Sequence, residues 1–434
     1  MRRLTPTGAR RRHRTHAERG AVATIVAVLF AGLAFMGLLA VSVDLGNLAY
    51  ERRQVQNAAD ATSLALAQEC AGGAPGKAIC VPATVADLLD ANAHDGAHRY
   101  DVRNDAPAGA CARGTAAQVG PLASHPCSSD GAITDLRECP PLPGWLTTGE
   151  GVNIPYVETY AATETATGDT ELFLPFSRVL AGGASGDAGT TACARAAWGR
   201  PSGYSAAVPL SFSSCEWQKQ MDAGGYVDDG PVGGVPGYGG AGQPAWPAAA
   251  KEVVILVHDP QDEAGDCAWN GKDTSGGFGW LDQAGDCTVD VSDDDWAHID
   301  TGNNIPNTCK NMISGMRNTV VELPVFDCIV AASSQPSGPV PTTPTDVCDP
   351  TQQQSNGNNT WYHLAGWAKF YVSGYKLGGS DSGTSSMPGG KSCSGSQRCL
   401  IGWFLAGELS DTPSSVVAPG GPNDFGTYVI KPAG

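Results

Sequence analysis

No C-x-x-C pair occurs among the fourteen cysteines. That absence disfavours zinc ribbons and thioredoxin-like redox centres, which need two sulfurs close in sequence. No G-x-S-x-G is present, so nothing supports the elbow that presents a hydrolase serine. AGGAPGKA at 71–78 imitates a phosphate loop but lacks the first glycine and the Ser/Thr after Lys77, and it reads as a linker. An Asp-x-Ser-x-Ser adhesion motif is missing too: Asp290-Val291-Ser292-Asp293-Asp294 puts aspartate where the second serine belongs. His94 and His98 are four apart, but Gly96 lies between them and no HExxH glutamate accompanies them. They read as solvated histidines. The segment 262–300 holds eleven Asp/Glu and one lysine, Lys272, without EF-hand or nonapeptide spacing. Calcium at Asp290, Asp293, Asp294 and Asp295 is conceivable, but a solvated acidic loop is the expectation. Thus no catalytic residue, cofactor, metal or small-molecule substrate is expected. His258-Asp259, at the end of an apolar strand, reads as a turn.

A second absence organises the chain. Residues 21–43, AVATIVAVLFAGLAFMGLLAVSV, contain no charge. As a helix they would span ~34 Å, enough for a hydrocarbon core of about 30 Å. The tail before them holds seven arginines and only Glu18, and such a cationic flank stays cytoplasmic. The run is longer than the core of a cleaved signal peptide. The expected topology is therefore a cytoplasmic tail over 1–20, a transmembrane helix over 21–43, and everything after it outside the cell membrane. The net charge of −17, with +6 in the tail, leaves −23 for the rest. That argues against nucleic acid as a partner. No cysteine precedes Cys70, so all fourteen fall on the expected oxidising side and read as disulfides. Cys393 and Cys399, flanking a short Gly/Ser loop, are the expected local pair.

Proline is absent from 44–70, and Leu45, Leu48, Val55, Ala59, Thr62 and Leu66 recur near a 3.5-residue period. The helix is expected to continue outward to about Glu69 with that packing stripe, and Ala-Gly-Gly-Ala-Pro-Gly at 71–76 stops it. The string Arg19-Gly20-Ala21, then Asp44-Leu45-Gly46, then Glu51-Arg52-Arg53-Gln54-Val55-Gln56-Asn57-Ala58-Ala59-Asp60-Ala61 resembles the N-terminal segment of TadE/TadG-like proteins of Flp (tight adherence) pilus systems. Amphipathicity alone would not produce the QNAAD run. The resemblance marks Arg19, Gly20, Asp44, Gly46, Arg52, Arg53, Gln56, Asn57 and Asp60 as family positions. It implies a bitopic membrane protein with a structural or interaction role, whose partners are the bilayer and other membrane proteins of the pilus or secretion apparatus. Ile25 stands where prepilins of such systems, cut after glycine, carry glutamate, so an anchor is implied rather than a major pilin.

Beyond the helix, Gly and Pro abound (56 and 30), which favours short strands and loops. The fold class expected is α+β: a long N-terminal transmembrane helix continuing outward, then β-rich, disulfide-stapled extracytoplasmic domains. A first α+β domain is expected over 71–203, with a helix at 81–93, strands at 152–167 and 191–199, and a stapled insertion at 104–150. A β-rich second domain is expected over 204–434, with strands at 251–259, 318–330, 362–377, 398–409 and 427–433 and flexible loops at 222–250 and 333–360. Trp217, Trp246, Trp269 and Trp280, near Gly-rich loops, are candidate contact surfaces. The competing functional expectations are a membrane-anchored extracytoplasmic hydrolase and a surface carbohydrate-binding adhesin.

Overall fold

A computed structural model of the chain describes residues 15–72, 80, 83–92, 109–127, 140–164, 171–174, 176–177, 188–201, 203–206, 209–227, 238–240, 243–258, 281, 289–292, 295–298, 309, 315–336, 360–377, 383–393, 395, 397–409, 416–417 and 425–434. Helix α1 runs Thr15–Ala71, 57 residues, or ~85 Å. Nothing in it breaks an i to i−4 ladder, since it contains no proline. Among the described residues no helix is long and apolar enough to cross a membrane. The side chains of Leu33, Ala34, Met36, Leu39 and Ala40, which belong to the expected span, lie outside the described ones.

Shorter helices among the described residues include α2 (Ala83–Asn92), α3 (Ala116–Val119), α4 (Gly144–Thr147) and α5 (Ser214–Asp222). The strands are β1 (Ala110–Arg113), β2 (Tyr156–Ala162), β3 (Thr191–Pro201), β4 (Gly203–Ala206), β5 (Phe212–Ser213), β6 (Val253–His258) and β7 (Val289–Ser292). They continue with β8 (Asp295–His298), β9 (Thr319–Ala331), β10 (Thr360–Lys376), β11 (Arg398–Leu405), β12 (Gly407–Glu408), β13 (Val416–Val417) and β14 (Thr427–Pro432). The molecule is therefore β-rich, and its main strands coincide with the apolar and alternating runs read from sequence.

The first sheet has the order β1-β2-β3-β14-β12, with β13 also on β3. One of its faces is paved with small side chains (Ala110, Ala112, Val157, Ala161, Ala192, Ala194 and Ala196), and α1 and α2 pack there. The opposite face turns Tyr156, Ala197 and Val429 towards Phe326, Tyr362 and Trp367 of the second sheet. Because β14 pairs with β3, sheet membership is shared across residue 203. The second sheet has the order β5-β9-β10-β11-β6, with β8 on β10. Its centre is β10, whose 17 residues are nearly all buried, as expected of a strand covered on both faces. Trp217 and Trp246 are partly buried and pack against this core. Trp217 meets Phe425 edge-on at 5.2 Å, and Trp246 lies against Tyr238 and Trp403. Trp269, Trp280, Asp259, His94, His98, residues 73–78 of the phosphate-loop look-alike, most of 262–300, residues 228–237 and 241–242 of the 222–250 loop and most of the 333–360 loop lie outside the described residues.

Disulfides join Cys70–Cys80, Cys111–Cys127 and Cys393–Cys399. Cys193, Cys215, Cys309 and Cys328 are also disulfide-bonded, and no described cysteine is free. Each such link narrows the unfolded ensemble. Cys70–Cys80 has a particular place, since it ties the end of α1 to the approach of α2.

Burial in the second sheet has a titratable consequence. Desolvation, reinforced by neighbouring Tyr238, pushes the Tyr371 hydroxyl up to about 12, and desolvation raises that of Tyr362 further still. Both folded values exceed the ordinary 10.0. Between those limits the unfolded chain sheds protons that the folded chain keeps, so stability is intact below about pH 10 and falls as pH rises through the window. Urea unfolding should therefore show a lower midpoint near pH 11 than near pH 9, with the difference smaller in Tyr371→Phe. An equal difference in the variant would contradict the assignment.

Candidate interaction site

The C-terminal half of α1 is built for docking. Val55, Ala58, Ala59, Thr62, Ser63, Leu66, Ala67 and Cys70 are buried, a run of three- and four-residue steps that keeps one helix face on the sheet. Small residues on both sides let the backbones approach closely. Two polar bonds fix the register: Thr159 Oγ1 donates to the Ala59 carbonyl at 2.9 Å, and Gln56 Nε2 to the Cys193 carbonyl at 3.1 Å. Lower down, Gln68 Nε2 donates to Glu408 Oε2 at 3.0 Å. The stripe departs from expectation at its start, where Leu45 is 60% exposed and Asp44 is buried in its place. Asp44 Oδ2 accepts the Ser177 backbone N–H at 2.6 Å.

Residues 20–69 match the family model described as "Putative Flp pilus-assembly TadE/G-like". The chain carries a TadE/G-like N-terminal segment. No curated protein and no solved structure matches, so the rest of the chain stands on its own geometry.

The residues of the Tad segment fall into three groups. Asp44 and Gln56 face inward and bond to Ser177 and Cys193 of the folded body. Arg52, Arg53, Asn57 and Asp60 are exposed, with Asp60 Oδ1 accepting from Gln56 Nε2 at 2.9 Å. Gly46 is exposed, and a Cβ there would meet nothing within 4 Å, so no contact among the described residues calls for glycine. Arg19 and Gly20 lie in α1, and their side chains are outside the described ones. Cys393 and Cys399 are far along the chain, bonded to each other beside β11.

Three buried polar clusters escaped the sequence reading. Glu158 and Arg195, opposite each other on β2 and β3, form an ion pair, and Arg195 also bonds the Pro140 carbonyl. Glu252 is wholly buried and accepts from Ser373 Oγ, Ser385 Oγ and the Lys391 N–H. His363 Nδ1 lies 2.6 Å from Asp327 Oδ1, beneath Trp296. Arg113 acts similarly nearer the surface. It donates to the carbonyls of Leu146, Gly151 and Ile154 and lies over the Tyr156 ring at 4.6 Å. Burial lowers the Arg113 pKa. Burial, then neighbouring Glu158, raises that of Tyr156. Glu252 and Arg113 are held by several neighbouring groups each, whereas Arg195 Nη2 and His363 Nε2 are buried without a hydrogen-bond partner among the described residues. Among the described residues no group of three or more metal-ligating side chains comes together.

Proposed function

We propose that the chain is a bitopic membrane component of a Flp-type pilus assembly or secretion apparatus, with a structural or interaction role and no catalysis. Residues 21–43 cross the membrane, the arginine-rich tail stays cytoplasmic, and the disulfide-linked body lies outside. The observation that carries this reading is the family match over 20–69 on a helix whose outer half is docked to a folded body. It is supported by Val22, Ile25, Val28, Phe30, Phe35 and Leu38, which are exposed around the helix. An apolar surface on every side needs a bilayer or a protein interior to cover it. A reporter fused after Gly434 should be active only outside the cytoplasm, and activity inside would overturn the topology.

The inward face of the Tad segment is occupied by the chain's own sheet, so the outward face is the one left for apparatus partners. Tyr50, Arg53, Asn57, Asp60 and Leu64 are exposed along it, one helical turn apart. Replacing Arg53 and Asn57 together by glutamate should reduce co-purification of pilus-apparatus membrane proteins about tenfold, a binding loss near 1.4 kcal/mol. Unfolding stability should change by less than about 0.5 kcal/mol. Unchanged co-purification would move the partner site elsewhere.

A further inference from the structure

The apolar run ends at Val43, and the next residue, Asp44, is only 5% exposed. By accepting the Ser177 N–H, its carboxylate brings the stretch 171–177 against α1 at that level. Ser177 Oγ closes the stretch on the Leu174 carbonyl at 3.0 Å, and Leu174 is buried. The stretch turns two aromatic rings outward: Phe173 is 63% exposed and Phe176 40%. Within one turn of Asp44 on the helix, Val41, Val43 and Leu45 are exposed too. A phenylalanine gains by leaving water, and contiguous exposed apolar surface marks a contact site.

We infer that Phe173 and Phe176 form a second membrane contact, inserting into the interfacial layer of the leaflet from which α1 emerges. Asp44 is the latch that sets their height. The occupant is lipid because the Asp44–Ser177 bond holds the rings at the end of a run whose described large apolar side chains, from Val22 to Val43, are exposed. A single partner helix would cover only one side. A short amphipathic stretch at the interface gains affinity in proportion to the apolar area it buries. Beside the helix, it would also fix the body's tilt against the membrane. This inference rests on the reading that residues 21–43 cross the bilayer.

The test places a photo-crosslinking benzoylphenylalanine at position 41, 152, 173 or 176 of the full chain, in vesicles of phosphatidylethanolamine and phosphatidylglycerol. Position 41 reports the span, and Val152, in the 3-10 turn Gly149–Asn153, is an exposed apolar control elsewhere in the chain. Phospholipid adducts at 173 and 176 should approach the yield at 41 and exceed that at 152 roughly five- to tenfold. Lipid adducts at 41 without any at 173 or 176 would overturn the inference and leave the crossing intact. None at 41 would remove the crossing and the inference with it. Protein adducts at 173 and 176 would replace the lipid contact by a protein interface. With Asp44→Ala the yield at 173 should drop several-fold while that at 41 holds, and Asp44→Asn, which keeps an acceptor for the Ser177 N–H, should restore it. An unchanged yield in Asp44→Ala would refute the latch.

Discussion

Replacing Glu252 by alanine is expected to lower the unfolding free energy by about 3–5 kcal/mol, because it strips three donors of their only charged acceptor inside the second sheet. Glu252 sits just before β6 and reaches Ser373 on β10 at 2.7 Å. It also reaches the 384–392 loop, through the Ser385 hydroxyl and the Lys391 N–H. Close packing leaves no room for the loop to relax. A Cβ on Gly374 would come within 2.3 Å of the Thr384 carbonyl, and one on Gly390 within 2.8 Å of Glu252 Oε2. The loop is thus pressed on β10 at one glycine and on the carboxylate at the other, so water cannot easily stand in for the lost oxygens. In urea the midpoint should move down by roughly 1–2 M at typical denaturant slopes. A shift of less than about 0.5 M would mean the cluster is solvated in practice. Ser373→Ala should cost only about 1 kcal/mol, since Ser385 and Lys391 still hold the carboxylate.

The second large effect concerns Glu158 and Arg195. Arg195 is 1% exposed, so Glu158→Ala would strand a guanidinium in the interior at a cost of about 3–5 kcal/mol. Replacing both, Glu158→Leu with Arg195→Met, removes the charge together with its partner, and stability should return to within about 1–2 kcal/mol of the parent. The comparison is informative because the pair lies on the face of the first sheet opposite α1. A double variant as unstable as the single one would mean that the pair's worth lies in the Arg195 bond to the Pro140 carbonyl. In that case Arg195 anchors the 140 region, and Glu158 only keeps it company.

The periodic parts of this architecture were legible from sequence. The buried steps of α1 from Val55 to Cys70 follow from helical spacing, and β6, β9, β10 and β11 follow from β-branched and aromatic runs. The Tad positions were legible as a motif, and their division into inward Gln56 and outward Asn57 follows once the helix is phased. Three kinds of feature were not legible. The pairing of β14 with β3 is non-local, and no pattern within 427–433 names its neighbour. Leu45 looked like a packing residue because hydropathy ignores what lies opposite. The position is exposed, and the buried residue is the charged Asp44, satisfied by a backbone N–H more than a hundred residues away. Nothing in the sequence marks Glu252 or Glu158 as buried, because an isolated glutamate in or next to a strand carries no sign of the donors that will surround it.

The return of β14 also sets an order in time. The floor on which α1 docks includes Ile430, and β14 extends β3 through Val429, Ile430 and Lys431. The helix is made first and that strand last, so the docking face of the helix must wait, partly uncovered, through the synthesis of nearly the whole body. Such long-range closure is slow and leaves apolar surface open meanwhile. Early disulfide formation between Cys70 and Cys80, ten residues apart, would hold the helix end and α2 together during that wait. A nascent chain stalled before Thr427 is then a vulnerable species, open to proteolysis or capture by a chaperone.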